Sequence, residues 1–498
     1  MSLKRADCIY EEIILEADWW LPNDNSSKFR GKLSGSVVDG FRLAIEGAFS
    51  LVEEGFSETE VILGESRTGK KYTLLKNYCL STNRSINLKN PTSIKKVDTH
   101  YHVSWLLVGE HFNNYDDLMF HNISFGISNF EEWHLIKAFD EEYNGNDNSI
   151  DGLSVTYNQP EPVKILSDDY VNATIEYSYS HSGINLSQTS YSIDIRAEIT
   201  IRAVDQFLRL HDFDEKSDIS FSKYMHKIVS FIEFATQRQA YSFDIKVCSK
   251  ENPYEDLQNI SEPIAVYYHD KVSPEVEKPI KNYEMLFTWR HIKDAPQKHF
   301  QAWVDNIDLI GMPIWLYLGS YRKFTYEDQK FMELAQGLEG FHRYRFPEAS
   351  ESSEDHQIKI KSILDNCPDV YYEWLNGKMM HSHEPTLRKR LKELCNEQDE
   401  IVSWLTNTKK TRNRVIGLIV DNRNQYAHCL SLDTGTVTIN LRFNLNRFMQ
   451  FVFAALLLNE TKFTNEQILE IFKDNWICQQ VPKVLNEALS LNDSKENI

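Results

Sequence analysis

The sequence predicts an α+β protein in two regions: a mainly antiparallel β domain with one packed helix, then an all-α bundle. Between residues 191 and 202 apolar and polar side chains alternate strictly, which is typical of a half-buried strand. Beyond about Lys281 apolar residues recur at helical spacing. Pro313 and Gly319 mark breaks where the two patterns join.

The β domain is predicted from shorter runs of the same kind. They lie at 41–49, 61–63, 72–80, 102–108, 153–157, 173–179, 241–247 and 264–268. One helix interrupts them, because Phe221, Met225, Ile228 and Ile232 share a helical face. We expect this helix to pack across a sheet.

The C-terminal third predicts a helical bundle. Thr325 with Asp328 resembles a capping box, and Thr464 with Gln467 a second one. Other helices are predicted around 387–405, 414–430 and 445–458. The expected organisation is a β-rich domain at 1–280, a helical connection at 281–324, a helical bundle at 325–490 and a frayed tail at 491–498.

Composition limits the functional classes. With 41% hydrophobic residues, the 498-residue chain can bury sizeable cores. Its seven scattered cysteines favour a reducing cytoplasm. No secretory segment is expected, and the longest apolar run, 451–458, is far short of the roughly 20 residues that span a bilayer. The net charge of −19 means that any nucleic-acid site must be a local basic patch.

One polar group interrupts an apolar helix. Residues 414–430 read RVIGLIVDNRNQYAHCL, with Arg423, Asn424 and His428 in its second half. On a continuous helix Asn424 and His428 lie one turn apart; a break at Asn422 would instead put the motif at a new helix N-terminus, which favours phosphate. A solvated Arg beside a core His is the structural alternative. A basic cluster precedes the motif and is the candidate RNA-binding set: Lys409, Lys410, Arg412 and Arg414.

These residues resemble the HEPN superfamily, whose members carry an Arg, a polar neighbour and a His four to six residues later on a helical bundle. With the β-rich region, HFQAWVDN and QGLEGFHRYRF, the chain resembles the ApeA (anti-phage HEPN) proteins. The resemblance covers most of the chain. It implies a metal-independent ribonuclease without cofactor, a homodimer or larger homo-oligomer with paired motifs, and bacterial defence against phage.

The chemistry is reasonable without the family. RNA can be cut without a metal when its 2′-OH attacks the adjacent phosphate, leaving a 2′,3′-cyclic phosphate. His428 could act as base or acid, and Arg423 offers a fork of donors matched to phosphate. Asn424 could orient the phosphate or the ring of His428. Glu339 could fix a catalytic side chain or form an i,i+4 ion pair with Arg343, and Tyr426 is a further candidate support.

Competing signals favour plainer interpretations. The segment from Gly64 to Lys70 imitates a P-loop, but Lys71 stands where Mg²⁺ ligation needs Ser or Thr, so we interpret it as a hairpin turn. His100 and His102 lack a third metal ligand, so no metal is expected. The run Arg388, Lys389, Arg390, Lys392 predicts either a solvated helix face or an RNA track.

The predicted function is an endoribonuclease that blocks translation or growth of infected cells. The alternative from another class is an inert bundle for dimerisation and RNA binding, and activity of a His428→Ala variant discriminates the two. Transfer RNA is a possible substrate, but no residue selects it. The β region is expected to sense a phage-derived trigger or to restrain the nuclease.

Overall fold

The computed structural model describes residues 5–49, 58–87, 90–146, 149–181, 193–205, 207–215, 217, 219–249, 262–269, 280–321, 326–350, 354–380, 382–427 and 437–496. The chain divides into two compact units. The first comprises Met1–Ile232 and Ala240–Pro279, and the second comprises Glu233–Gln239 and Ile280–Ile498.

The first unit is dominated by antiparallel strands. They are β1 (Ile13–Leu21), β2 (Asp24–Ser36), β3 (Gly40–Ile45), β4 (Glu58–Glu65), β5 (Lys71–Asn87), β6 (Asn90–Val108), β7 (Met119–Phe120), β8 (Asn122–Ile127), β9 (Phe139–Asn146), β10 (Ser149–Tyr157), β11 (Val163–Ser167), β12 (Val171–His181), β13 (Ile193–Ala203), β14 (Leu208–Arg209), β15 (Ser242–Cys248) and β16 (Ile264–Tyr268). Two helices accompany them, α1 (Phe130–His134) and α2 (Phe221–Thr236).

Twelve of these strands form one sheet, ordered β11-β12-β13-β8-β15-β16-β6-β3-β2-β1-β4-β5. An additional pairing of β5 with β6 closes the last six strands into a barrel. Its interior is filled by fully buried side chains such as Trp19, Leu33, Phe41 and Tyr101. Closure removes two sheet edges that would otherwise expose unpaired backbone groups.

Each predicted strand is present, although the one predicted at 41–49 ends at Ile45, and α2 forms as expected. Residues 191 and 192 lie outside the described residues; the alternating strand is seen from Ile193. Seven of the described strands were missed: β1, β2, β7, β8, β9, β11 and β14. In β1 the neighbours Trp19 and Trp20 are both buried, so the alternating pattern fails there.

The P-loop-like segment is a hairpin turn, as interpreted. Strands β4 and β5 pair antiparallel, with Glu65 opposite Lys71. Ser66 N–H donates to the Lys70 carbonyl at 2.9 Å, and Gly69 has a φ of +81°, which glycine adopts without strain. The backbone amides therefore close a turn rather than cradle a phosphate.

The second unit is helical. Its helices are α3 (Pro296–Ile310), α4 (Met312–Gly319), α5 (Glu327–Arg345), α6 (Glu354–Asp365), α7 (Asp369–Met379), α8 (Leu387–Glu397), α9 (Asp399–Thr406), α10 (Lys409–Ala427), α11 (Ile439–Glu460), α12 (Asn465–Asp474) and α13 (Trp476–Glu496). The run 451–458 is a buried segment of α11, as predicted. Among the described helices, none combines the length and apolar character needed to cross a bilayer.

Close packing around α11 positions the helices that matter below. A Cβ on Gly337 of α5 would approach Phe453 Cε1 of α11 to 2.7 Å, so glycine permits this contact. The predicted capping box of Thr464 and Gln467 opens α12. For α5 the expectation differs in detail: Thr325 lies outside the described residues, and the helix begins at Glu327 after Tyr326.

The predicted frayed tail is also corrected. Helix α13 continues to Glu496. Leu485, Ala488, Leu489 and Asn492 are all buried, so an inward-facing stripe extends past residue 490. The polar appearance of the final residues hid this stripe.

Candidate functional site

The polar motif lies in the last turn of α10, a continuous helix over Lys409–Ala427. Thr408 Oγ1 accepts a hydrogen bond from Thr411 N–H at 3.0 Å and caps the helix start. Val415, Ile416 and Ile419 are buried and fix the inward face. The alternative of a new helix N-terminus at Asn422 is therefore wrong; Asn422 is buried, and its amide donates to the Leu418 carbonyl at 2.8 Å.

Arg423 is held by a carboxylate from a different helix. Its Nη2 donates to Glu339 Oε2 of α5 at 3.0 Å, and its Nη1 donates to Asn424 Oδ1 at 3.4 Å. The Arg423 side chain is 29% exposed and that of Glu339 is 22% exposed. The guanidinium is thus anchored on one side while part of it faces solvent. His428 lies outside the described residues.

Glu339 satisfies both interpretations that the sequence left open. Its Oε1 lies 3.7 Å from Arg343 Nη2, the i,i+4 pair, while its Oε2 contacts Arg423. Arg343 and Arg423 therefore flank this one carboxylate. The contact with Glu339 in turn limits the orientations that the Arg423 side chain can adopt.

Behind Glu339, a polar network connects α5 with α8. Glu384 accepts from Arg343 at 2.7 Å and from Arg390 at 3.3 Å. Arg390 is completely buried, and its Nη1 donates to His342 Nδ1 at 3.1 Å. His342 Nε2 lies 2.7 Å from Glu393 Oε2.

The network fixes the tautomer of His342. Arginine can only donate, so Nδ1 of His342 must accept and its proton resides on Nε2, directed at Glu393. Burial lowers the pKa of His342, and the Glu393 carboxylate opposes this shift. His342 is therefore a neutral structural connector in this arrangement.

A second charged cluster contacts the motif helix. Asp328, in the first turn of α5, accepts a hydrogen bond from Tyr426 Oη at 3.1 Å and another from Arg442 Nη1 of α11. The Arg442 guanidinium lies 5.3 Å from the centre of the Tyr426 ring. Burial, together with the nearby Asp328, raises the pKa of Tyr426 to about 12, so this phenol stays protonated and donates.

The candidate RNA-binding residues separate into two kinds. Lys409 and Lys410 are exposed in the first turn of α10, ~20 Å along the axis from Arg423 at ~1.5 Å per residue. Arg412 is buried, and its Nη1 lies 2.5 Å from Asp399 Oδ1. Arg414 Nη2 donates to the Leu489 carbonyl at 3.3 Å. These two arginines connect α10 to its neighbours.

The four basic residues of α8 also fall into two groups, one buried and three exposed. The prediction of a solvated face is wrong for Arg390, which is buried in the network described above. Arg388 is exposed, and its Nη2 lies 3.6 Å from Asp421 Oδ1, two positions before Arg423. Lys389 and Lys392 are exposed as well. Three cations of α8 are therefore exposed on a helix that contacts the motif helix.

In the described part of the chain, no group of three or more His, Cys, Asp or Glu side chains could hold a metal ion. His102 lies near His269, with ring centres 6.2 Å apart, and burial lowers its pKa. His381 is outside the described residues. His383 packs on His356, with ring centres 5.9 Å apart.

The fold and the motif together define a protein in which a β-barrel-containing domain is followed along the chain by a HEPN-type helical domain. Residues 332–467 match the family model for the Apea-like HEPN domain, and residues 16–303 match the model for ApeA N-terminal domain 1. The chain belongs to the ApeA family, which associates it with the HEPN nuclease type of anti-phage protein. No curated protein and no solved structure gives a significant match.

Sequence reasoning missed most of the supporting residues. Asp328 was noticed only as a helix cap, and Arg390 only as part of a basic run. Their partners are 114 and 48 positions away, at Arg442 and His342, so local spacing carries no signal for them. The one available signal was the clustering of Glu, His and Arg in QGLEGFHRYRF, an unusual density of polar groups on a bundle helix.

Proposed function

We propose that this protein is a metal-independent endoribonuclease of anti-phage defence, with Arg423, Asn424 and His428 as its catalytic residues. The observation that carries the proposal is Arg423 itself. Its guanidinium stands in the last turn of a rigid helix of a HEPN domain, anchored by Glu339 yet partly open to solvent. A semi-exposed, oriented guanidinium is suited to bind a phosphate that gathers charge.

In the proposed reaction the 2′-OH of RNA loses its proton and its oxygen attacks the adjacent phosphorus. The bond to the 5′-oxygen of the next nucleotide breaks, and that oxygen takes up a proton. The products are a 2′,3′-cyclic phosphate and a 5′-hydroxyl. His428 provides one of the two proton-transfer roles, Arg423 stabilises charge on the phosphoryl oxygens, and Asn424 orients the phosphate.

One chain supplies a single motif, whereas the reaction needs both an acid and a base. We therefore propose a homodimer that brings two motifs to one cleft. Such a dimer would also place two sets of Lys409 and Lys410 on one particle, giving RNA a local cationic track despite the net charge of −19. The exposed cations Arg388, Lys389 and Lys392 support the same role.

The remaining proposals concern the cellular role of the protein, its compartment and the role of its β-rich unit. Growth arrest of infected cells follows if the RNA cut is needed for translation, and transfer RNA is one such class. No disulfide joins the six cysteines that the structure describes, which supports a cytoplasmic compartment. For the β-rich unit we propose a sensory role toward a phage-derived trigger, because its phosphate-loop-like segment is a hairpin and it offers no acid-base-phosphate set among its described residues.

The decisive experiment compares the wild-type protein with His428→Ala on total cellular RNA. We expect the wild type to cut and the variant to be inactive while its circular dichroism and melting temperature are unchanged. A matched control is His383→Ala, another histidine of the second unit, which should cut normally. Undiminished cutting by His428→Ala would remove the assignment, and an inactive but RNA-binding wild type would favour the inert scaffold.

A further inference from the structure

The second unit contains a cleft of about 280 Å³ that the proposed nuclease chemistry does not use. Its walls include residues just after α2, the end of α4, the start of α5 and one face of α11. All its lining residues belong to the second unit. The volume is at the small end of the roughly 300–1,000 Å³ typical of ligand pockets, which limits the occupant to about the size of a mononucleotide.

Among the described residues that line the cleft, one cation makes no hydrogen bond to an acceptor. Arg238 Nη2 lies 3.5 Å from Glu284 Oε2, and Lys330 Nζ lies 3.3 Å from Glu327 Oε1. No described residue accepts a hydrogen bond from Arg447. Two of three cations are therefore neutralised, and the Arg447 guanidinium remains for an anion.

Arg447 is also partly removed from water. Burial lowers its pKa, and Glu327 offsets this only in part. A desolvated guanidinium without hydrogen-bond acceptors is unfavourable, and a phosphate would satisfy its fork of donors bidentately. The cleft thus has a reason to take up a phosphate group.

A neighbouring residue gives an independent indication of a ligand. Asn446 lines the cleft and is 2% exposed. Its Nδ2 donates to Glu327, at 2.9 Å to the carbonyl and 2.8 Å to Oε2, while its Oδ1 is buried with no partner in the structure. An unsatisfied buried acceptor calls for a donor, such as the amino or hydroxyl group of a ligand.

The cleft also offers a surface for a planar ring. The Arg447 guanidinium lies 4.6 Å from the centre of the Phe443 ring, and Phe443 remains 40% exposed. Such rings stack nucleobases without strong base preference. The amides of Gln237 and Gln450, which donate to Tyr321 Oη and Ser320 Oγ, also line the cleft.

We propose that this cleft binds a small phosphate ester of the nucleoside monophosphate class, with the phosphate on Arg447 and the base against Phe443. The site is distinct from the Arg423 motif and does not depend on the nuclease proposal. Its recognition rests on one unpaired cation, one unsatisfied acceptor and one exposed ring, all on α11.

The test is calorimetric titration of the full-length protein with 5′-AMP and 5′-GMP. Adenosine and inorganic phosphate serve as the two half-ligand probes. We expect saturable binding of at least one nucleotide, with each half-ligand about tenfold weaker or more, since both parts contribute. Inorganic phosphate binding as tightly as the nucleotides would overturn the nucleotide assignment. Absence of nucleotide binding at millimolar concentration would overturn the site altogether.

Variants locate the binding. Arg447→Ala should weaken nucleotide binding about tenfold or more, and Gln450→Glu, which adds a negative charge without changing the volume, should do the same. Lys298→Ala, an exposed cation outside the cleft, is the matched control and should bind normally. Arg423→Ala should also bind normally, which separates this site from the nuclease motif. Unchanged affinity in both cleft variants would contradict the proposal, with melting temperatures confirming that each is folded.

Discussion

Glu339 and Arg423 lie 84 positions apart in the chain, yet their side chains meet at 3.0 Å between α5 and α10. The carboxylate is the only described partner from another helix that orients this guanidinium. It is itself flanked by Arg343. The contact makes Glu339 a positioning residue for the proposed phosphate-binding arginine.

Replacing Glu339 with Gln should therefore lower kcat for RNA cleavage about tenfold, equivalent to ~1.4 kcal/mol, with little change in KM. The amide keeps the shape but removes the charge that orients Arg423. Arg343→Ala, which removes the other partner of Glu339, is the control and should change kcat less. Steady-state kinetics on a fluorescent RNA measures both, and an unchanged kcat in Glu339→Gln would exclude the positioning role.

The chemistry itself makes a second prediction. Cutting should persist in EDTA, the products should carry 2′,3′-cyclic phosphates, and single-stranded DNA of the same sequence should remain intact because it lacks the 2′-OH. Mass spectrometry of the product ends decides between mechanisms. Loss of activity in EDTA that Mg²⁺ restores, or 5′-phosphate ends, would count against the 2′-OH attack.

Arg390 should matter for stability rather than chemistry. Its removal leaves the buried His342 and the Glu384 carboxylate short of a donor, so Arg390→Ala should destabilise the second unit by about 3 kcal/mol or more. Arg388→Ala, two residues earlier on α8 and exposed, should cost at most ~1 kcal/mol. Urea unfolding of both variants measures the difference. Equal, small effects would show that the network adds little.

His342 should make the second unit sensitive to acid. Burial holds its pKa below the usual 6.5, with Glu393 opposing and Arg390 and Lys389 reinforcing the shift. As the pH falls, the unfolded chain takes up a proton on this histidine more readily than the folded chain does. The contribution of neutral His342 to the free energy of unfolding is therefore complete above about pH 6.5 and is lost as the pH falls toward the folded pKa.

Between about pH 7.5 and 5.5, the melting temperature of His342→Gln should fall by less than that of the wild type. At pH 7.5 the variant should have the lower melting temperature of the two. Differential scanning fluorimetry across this range provides the measurement. His356→Gln, which replaces a half-buried histidine of α6 in the same unit, is the control. Parallel pH profiles for wild type and His342→Gln would refute the assignment.

Assembly is the fifth prediction. Light scattering should give about twice the 58.3 kDa of one chain, or a larger multiple, at every concentration at which RNA is cut. Dilution below the dissociation constant of the dimer should lower specific activity. A fully active monomer would falsify the paired-motif proposal.

The sequence predicted elements whose signal is local. The alternation that begins at Ile193 and the stripe through Phe221 and Ile228 gave a strand and a helix that the structure contains. Strand β1 was missed because the consecutive residues Trp19 and Trp20 are both buried, and β8 because residues 125–127 are all buried, so the alternation fails in each. Barrel closure by β5 and β6 depends on register over many residues, which no local pattern reports.

The residues of the candidate site could likewise be predicted only where their signal is local. Arg423 and Asn424 could be named because they are adjacent on one helix, and Glu339 because polar residues cluster around it. Arg390 could not be recognised as buried, since charge in a run normally indicates a solvated surface. Its burial depends on partners on other helices, His342 and Glu384, and such compensation is visible only in three dimensions.

The first turn of α5 places two consecutive carboxylates in different surroundings. Glu327 contacts Asn446 in the cleft, while Asp328 contacts Tyr426 of the motif helix and Arg442. An occupant that displaces Glu327 therefore acts on the backbone that carries Asp328. Thermodynamic reciprocity then requires that if such an occupant changes the affinity of the motif for RNA, RNA changes the affinity of the cleft by the same factor.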